Sequence, residues 1–339
     1  MIHLSTIRDV AKLAGVSVST VSRVINQSGY VNKETEEKVR EAIEKLDYKP
    51  NTVARGLVNK KTKTIALIIP DITNPFFPKL ARAIEDTVNE LGYSVILGNT
   101  DGSSRKRDEY IHIMKNRYVD GMIFASHPLL EYDMEDLKQI GMPYVIVGGV
   151  KNSYNEFLNI GTDNFNGAVM AVEHLLEIGC KHIAHISGPK DKQISYDRYL
   201  GYKQTLEKRG MFNSDYIMQG YYDIDSGQKI AKLLLESYPQ IDGIFAANDL
   251  MALGALNTLI NMKKRVPQDV ALIGFDDIPL IGYTVPSIST IAQPVDQIGR
   301  VAVQRLIGLI ENKKEFLTKV NNKLQPKLIC RESTDREKV

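Results

Sequence analysis

The stretch "TIRDVAKLAGVSVSTVSRVINQSGYV", residues 6–31, holds two short amphipathic runs joined by Ala-Gly-Val-Ser. Thr6 suits a helix N-cap, with Asp9 three residues on to hold the first turn. Ile7, Val10, Ala11 and Ala14 then recur at helical spacing. Gly15 breaks that run, and Ser17 caps a second helix whose inner face is Thr20, Val21 and Val24. Asn26 to Gly29 reads as a loop, and a third helix over about 33–46 turns Val39, Ile43 and Leu46 inward. Helices this small cannot bury enough apolar surface alone, so three around one core make a helix-turn-helix unit. The second helix presents Ser17, Val18, Ser19, Thr20, Ser22 and Arg23 outward. That face is short, polar and singly charged, which suits base edges better than chemistry.

The rest of the chain bounds what such a head serves. At 339 residues, 43% hydrophobic and 25% charged, the composition is that of a soluble globular protein of two or three domains. No apolar run is long enough to span a membrane and no secretory signal is read, so a cytoplasmic protein is expected. Cys180 and Cys330 lie far apart without metal-ligand spacing, and read as buried thiols in a reducing compartment. The net charge of +2 hides an asymmetry: residues 1–63 hold twelve Lys or Arg against seven Asp or Glu. A basic end on a mildly acidic body fits a polyanion-binding head.

After Tyr48 the basic stretch "KPNTVARGLVNKKTKT" offers only a weak helical pattern. Gly56 costs such a helix about 1 kcal/mol relative to Ala, so it reads as a linker that becomes helical when supported. From Ile65 the pattern alternates. "TIALIIP", "GYSVILGNT", "DGMIFAS", "MPYVIVGG", "HIAHISG", "GIFAAND" and "VALIGFDD" are apolar strands, separated by helices such as 77–91, 104–117, 165–178, 197–209, 226–237 and 249–261. This is an α/β pattern of parallel sheets with helices on both faces. Ligands bind such sheets beyond the carboxyl ends of the strands. Those ends read "PDITNPFF", "NTDGSS", "SGPKDKQISYDR", "NDLM" and "FDDIP". Residues 332–339 read as a polar, frayed tail.

Signals for catalysis are thin. The six His residues lack Cys, Asp or Glu partners at ligand spacing, and the adjacent carboxylates of "FDD" point apart on an extended strand end. "GxxxxGK[ST]", "GxSxG" and "GxGxxG" do not occur. No enzyme activity, metal or cofactor is expected.

The opening stretch, with "YKPNTVARGL" close behind, resembles the head and hinge of the lactose/galactose repressor family. "IIPDITNPFFPKLARAIED", "DGMIFAS", "AANDLMALGAL" and "IGFDDIP" resemble that family's core, which is similar to periplasmic sugar-binding proteins. "DITNPFFP", "SYDRYLGY" and "IAQPVDQIG" are closest to its ribose-type members. The resemblance covers residues 5 to about 331. It implies a homodimeric repressor, a pseudo-palindromic operator and a small effector bound between two core subdomains. The implied organisation is a helix-turn-helix head (1–50), a hinge helix and linker (51–63) and a core (64–331). Its subdomains would be 64–163 plus 292–323, and 164–291 plus 324–331.

By the same resemblance, Val18 and Ser19 select operator sequence and Arg23 reads guanine. Thr6, Ser17, Thr20, Ser22, Asn26, Tyr30 and Asn32 hold phosphates or neighbouring bases. Asn51, Ala54, Arg55 and Leu57 match a hinge helix in the minor groove, with Leu57 as the apolar wedge. In the core, Phe76 and Phe77 would stack on a sugar beside Asn74. Arg198, Asn248, Asp276 and Gln293 would bind its hydroxyls, and Tyr222 would be another stacking surface. The alternative for each is a cap or turn residue at a strand end. One departure stands out: Gly148 and Gly149 replace the acidic-basic pair of ribose-type proteins. The effector is therefore ribose, a related sugar or a sugar phosphate. A phosphorylated carrier protein or purine corepressor remains the alternative, and a transport binding protein the remote one.

Overall fold

The computed structural model describes residues 5–26, 28–48, 61–116, 119–125, 135, 137–139, 141–148, 158–317 and 322–336. The hinge positions Asn51, Ala54, Arg55 and Leu57, and also Gly149, lie outside these described residues. The chain divides into two compact units, Met1–Thr62 and Lys63–Val339.

Among the described residues the first unit holds three helices: α1 (Ile7–Ala14), α2 (Val18–Asn26) and α3 (Lys33–Lys45). Thr6 and Asp9 form a reciprocal capping box, and Gly15 ends α1 in the left-handed region at φ 66°. Val10, Ala11, Val21, Val24, Val39 and Ala42 form the core, with Ile43 and Leu46 packed at its edge. Thr20, which the sequence places on both the inner and the outward face, is half-buried, and its hydroxyl is hydrogen-bonded to that of Ser17 at 2.9 Å.

The second unit is built on two six-stranded sheets. The first runs β11 (Lys323–Leu324), β5 (Asn159–Thr162), β4 (Tyr144–Val147), β3 (Gly121–Ala125), β1 (Thr64–Ile69), β2 (Ser94–Asn99), all parallel. The second runs β12 (Lys327–Ile329), β10 (Ser289–Ala292), β9 (Ala271–Asp276), β8 (Gly243–Ala246), β6 (Ile183–Ser187), β7 (Ile217–Gln219). Here only β12 is antiparallel to its neighbour. Central strands such as "TIALII" and "ALIGFD" are buried on both faces, as the continuous apolar runs require. The flanking helices include α4 (Phe76–Glu90), α5 (Ser104–Asn116), α6 (Asn164–Glu177), α7 (Gln193–Glu207), α8 (Ile224–Ser237), α9 (Asp249–Asn261) and α10 (Val295–Glu311).

Three sequence expectations need correction. Five strands, β5, β7, β10, β11 and β12, were not anticipated. They run two to four residues and mix polar with apolar positions, so no continuous run betrays them. The start of the polar tail is docked, not frayed. Ser333 is fully buried, donating to the Leu272 carbonyl at 2.5 Å and accepting from the Ser289 N–H at 2.8 Å. Finally, Cys180 is buried as expected but Cys330 is exposed, because it follows the short outer strand β12.

Candidate functional site

In the head, three of the expected DNA contacts are helix caps. Thr6 donates to Asp9 Oδ2 at 2.7 Å and accepts from the Asp9 N–H, so its hydroxyl is committed. Ser17 Oγ accepts from the Thr20 N–H at 3.1 Å, and Asn32 Oδ1 accepts from the Thr35 N–H at 3.2 Å. Each cap sits at a helix N-terminus, where backbone N–H groups and the dipole favour an anion. Along α2, Val18, Ser19, Arg23 and Asn26 are exposed, and Ser22 is half-buried and accepts from the Asn26 amide at 3.2 Å. Tyr30, in the following loop, is 90% exposed. The helix thus offers one exposed guanidinium beside short hydroxyls, a face whose chemistry suits the base edges of the major groove.

In the second unit, a cavity of about 520 Å³ opens at the carboxyl ends of the strands of both sheets. All eight residues singled out in the core line it: Asn74, Phe76, Phe77, Arg198, Tyr222, Asn248, Asp276 and Gln293. Phe76 and Phe77 start α4 and meet edge to face, with centroids 5.1 Å apart. Arg198, on α7, is the most firmly held. Its Nε donates to Asn164 Oδ1 at 2.9 Å, Nη1 donates to the Ala247 carbonyl, and its plane lies 3.6 Å over the Phe275 ring. Its Nη2 faces Asp276 Oδ1 at 3.6 Å, and both side chains are almost fully buried.

Asp276 ends β9 with φ 120°, a backbone region that favours glycine, and this turns its carboxylate into the cavity. Gln293 Nε2 donates to it at 2.7 Å, while Gln293 Oε1 accepts from the Thr162 hydroxyl at 2.5 Å. Thr162, Gln293, Asp276, Arg198 and Asn164 therefore form one polar chain joining β5 to the second sheet. Burial pushes the Asp276 carboxyl above its ordinary range, and Arg198 opposes that rise without cancelling it. Asp249 lies behind it, fully buried, accepting from the Thr290 hydroxyl at 2.7 Å and the Ile278 N–H at 2.9 Å. Burial, then the Asp276 charge, raise its carboxyl well above the usual range.

Two expected ligand groups also serve the fold. Asn248 caps α9, its Oδ1 accepting from the Met251 N–H at 2.9 Å while Nδ2 donates to the Tyr222 carbonyl at 3.1 Å. Asn74 Oδ1 accepts from the Phe76 N–H at 3.1 Å. Tyr222 is a wall more than a free platform, since its hydroxyl bonds Ser195 Oγ at 2.6 Å. Sequence reasoning missed Thr162 and Asn164 because β5 went unread. Tyr221, 64% exposed at the cavity, adds an aromatic beside Tyr222. Gly148 has φ 107° and lines the cavity with Gly161, leaving a bare backbone wall. Among the described residues no group of three or more His, Cys, Asp or Glu could hold a metal, and no helix is long and apolar enough to cross a membrane.

Comparison with known proteins agrees with this division of labour. Residues 6–51 match the lacI family of bacterial regulatory proteins, and residues 172–334 match a periplasmic binding protein-like domain. The chain is 44% identical to the ribose operon repressor of Halalkalibacterium halodurans, covering 98% of this chain and 97% of that one. It is 37% identical to the ribose operon repressor of Bacillus subtilis, covering 98% and 100%. Among solved structures, the lac repressor dimer bound to operator and the anti-inducer ONPF superimposes with a TM-score of 0.85 at 27% identity, covering 98% and 99%. The protein belongs to the lacI family of bacterial regulatory proteins.

Proposed function

We propose that this protein is a transcriptional repressor that binds a pseudo-palindromic operator as a homodimer and is controlled by an uncharged sugar in the core cavity. The head supplies base and phosphate contacts through α2 and the helix N-termini, and Asn51, Ala54, Arg55 and Leu57 supply the hinge contacts. The core works as two subdomains, 64–163 plus 292–323 and 164–291 plus 324–331. The sugar stacks on Phe76 and Phe77, while Arg198, Asp276, Asn248, Asn74 and Gln293 address its hydroxyls. Binding acts on DNA only through different affinity for the two core states, and about 1.4 kcal/mol of difference changes operator affinity tenfold.

The observation that carries the ligand class is the charge of the cavity. Its lining includes Asp71, Asp101, Asp223 and Asp276 against Lys192 and Arg198. Arg198 is already bonded to Asn164 and Ala247 and faces Asp276. Asp101 is paired with Lys106 and Lys79 acts on Asp276, so a phosphate dianion would face carboxylates with Arg198 already engaged, whereas neutral hydroxyls can both donate to the carboxylates and accept from the guanidinium. This favours a free sugar over a sugar phosphate. Calorimetry with ribose, larger neutral sugars and ribose 5-phosphate tests it. Heat is expected from a neutral sugar and none from the phosphate. Tighter binding of ribose 5-phosphate than of every neutral sugar would overturn the assignment.

A further inference from the structure

Lys63 is the first residue of the second unit, where the linker enters the core. It is held by every group it has. Its N–H donates to Asp120 Oδ2 at 2.9 Å, and its carbonyl accepts from the Ser94 N–H at 2.8 Å. Its ammonium lies 4.2 Å from the centroid of the Tyr93 ring and is paired with Glu311. Glu311 in turn accepts from the Tyr93 hydroxyl at 3.0 Å and from Lys313 at 2.7 Å. Lys313 and Lys63, with Tyr93, hold the Glu311 carboxyl down to about 2, so Glu311 stays a carboxylate across the working pH range. Lys63 adopts φ 53°, a left-handed conformation that a non-glycine residue keeps only when its surroundings impose it.

Glu311 is the last residue of α10, and the opposite end of α10 is at the cavity. Gln293, two residues before the helix, and Ile298, in its first turn, both line that cavity. Between them run seventeen residues, about 25 Å of helix. The helix has little room to shift sideways, since a Cβ at Gly299 would stand 2.8 Å from Ala83 Cβ on α4. One rigid element therefore touches the effector cavity at one end and the linker anchor at the other.

We propose that α10 and the Lys63–Tyr93–Glu311 clamp form a positioning unit that ties the linker's point of entry to the state of the effector cavity. The proposal rests on the repressor reading above. Releasing the clamp gives the linker slack, so hinge placement no longer follows the core. The test uses the full-length chain, operator fragments selected from genomic DNA, and a random duplex at matched salt. Lys63→Met is expected to lower the operator-to-random affinity ratio about fivefold and to speed amide exchange at Ser94. Lys63→Arg, which keeps the charge over Tyr93 and the pair with Glu311, should restore both. Glu311→Gln should behave like Lys63→Met. Titration of neutral sugars should be unchanged throughout. If the wild type selects an operator while Lys63→Met and Glu311→Gln match it within twofold, the clamp positions nothing. A wild-type chain with no preference over random DNA would instead sink the repressor reading, and the clamp's role with it.

Discussion

The outward face of α2 and the cavity are both polar, yet they are organised in opposite ways. On α2 the groups come from nine consecutive residues, and Val18, Ser19, Arg23 and Asn26 stand exposed. In the cavity, Arg198, Asn164, Asp276, Gln293 and Thr162 come from distant parts of the chain and satisfy one another before any ligand arrives. The lesson concerns what a substitution can break. An exposed reader contributes only when its partner is present, whereas a buried polar chain contributes to the fold itself.

The strongest test of that contrast is Arg198→Ala. It strips the buried Asp276 of its cation and leaves Asn164 Oδ1 and the Ala247 carbonyl without their donor. Breaking a buried pair from one side costs about 3–5 kcal/mol, so urea unfolding should shift by that amount while neutral-sugar binding disappears. A stability loss below about 1 kcal/mol would mean the chain is not pre-paired as described.

A second test uses pH. His185 is fully buried between Tyr202 and Phe245, with centroids at 5.0 and 4.7 Å, and its Nδ1 bonds the Phe245 carbonyl at 2.9 Å. Its Nε2 has no partner among the described residues, and burial lowers its pKa to about 4. The unfolded chain, with an ordinary pKa near 6.5, binds the extra proton first. Stability from this group is thus complete above about pH 6.5 and falls as pH drops toward 4, by about 3 kcal/mol in all. His185→Phe should remove that part of the acid loss in denaturant titrations from pH 7 to 4. An identical slope in variant and wild type would show that the fold does not depress the His185 pKa.

The smallest effect belongs to the head. Arg23→Ala should weaken operator binding by about 1–3 kcal/mol, as loss of a bidentate base contact does, with less loss on random DNA. Unfolding of the head should change by less than about 0.5 kcal/mol, because Arg23 is exposed. Equal losses on both DNAs would show that Arg23 reads no base.

The same contrast explains what the sequence made legible. The head could be read almost residue by residue, since capping, helical spacing and the Gly15 stop are local signals. The central strands were visible because burial on both faces forces continuous apolar runs. The cavity residues were found at strand ends, through the resemblance as well as their polarity. Thr162 and Asn164 were missed because "NIGT" is too short and polar to read as a strand, and Asp249 because its role depends on Thr290 and Ile278, far along the chain. The docking of Ser333 is illegible for the same reason: its acceptor, the Leu272 carbonyl, is 61 residues away.

The strand order has an evolutionary consequence. After β5 the chain moves to the second sheet, after β10 it returns as α10 against β3 and β4, and between β11 and β12 it moves again. Each sheet is therefore assembled from separated stretches of the gene. A single recombination event can replace the contiguous head with another operator specificity and leave the core whole. Replacing the elements of one sheet requires three coordinated breakpoints, and any one alone yields sheets of mixed parentage. Exchange of one contiguous segment suffices to change the head, while the cavity, lined from both sheets, changes most simply by point substitution.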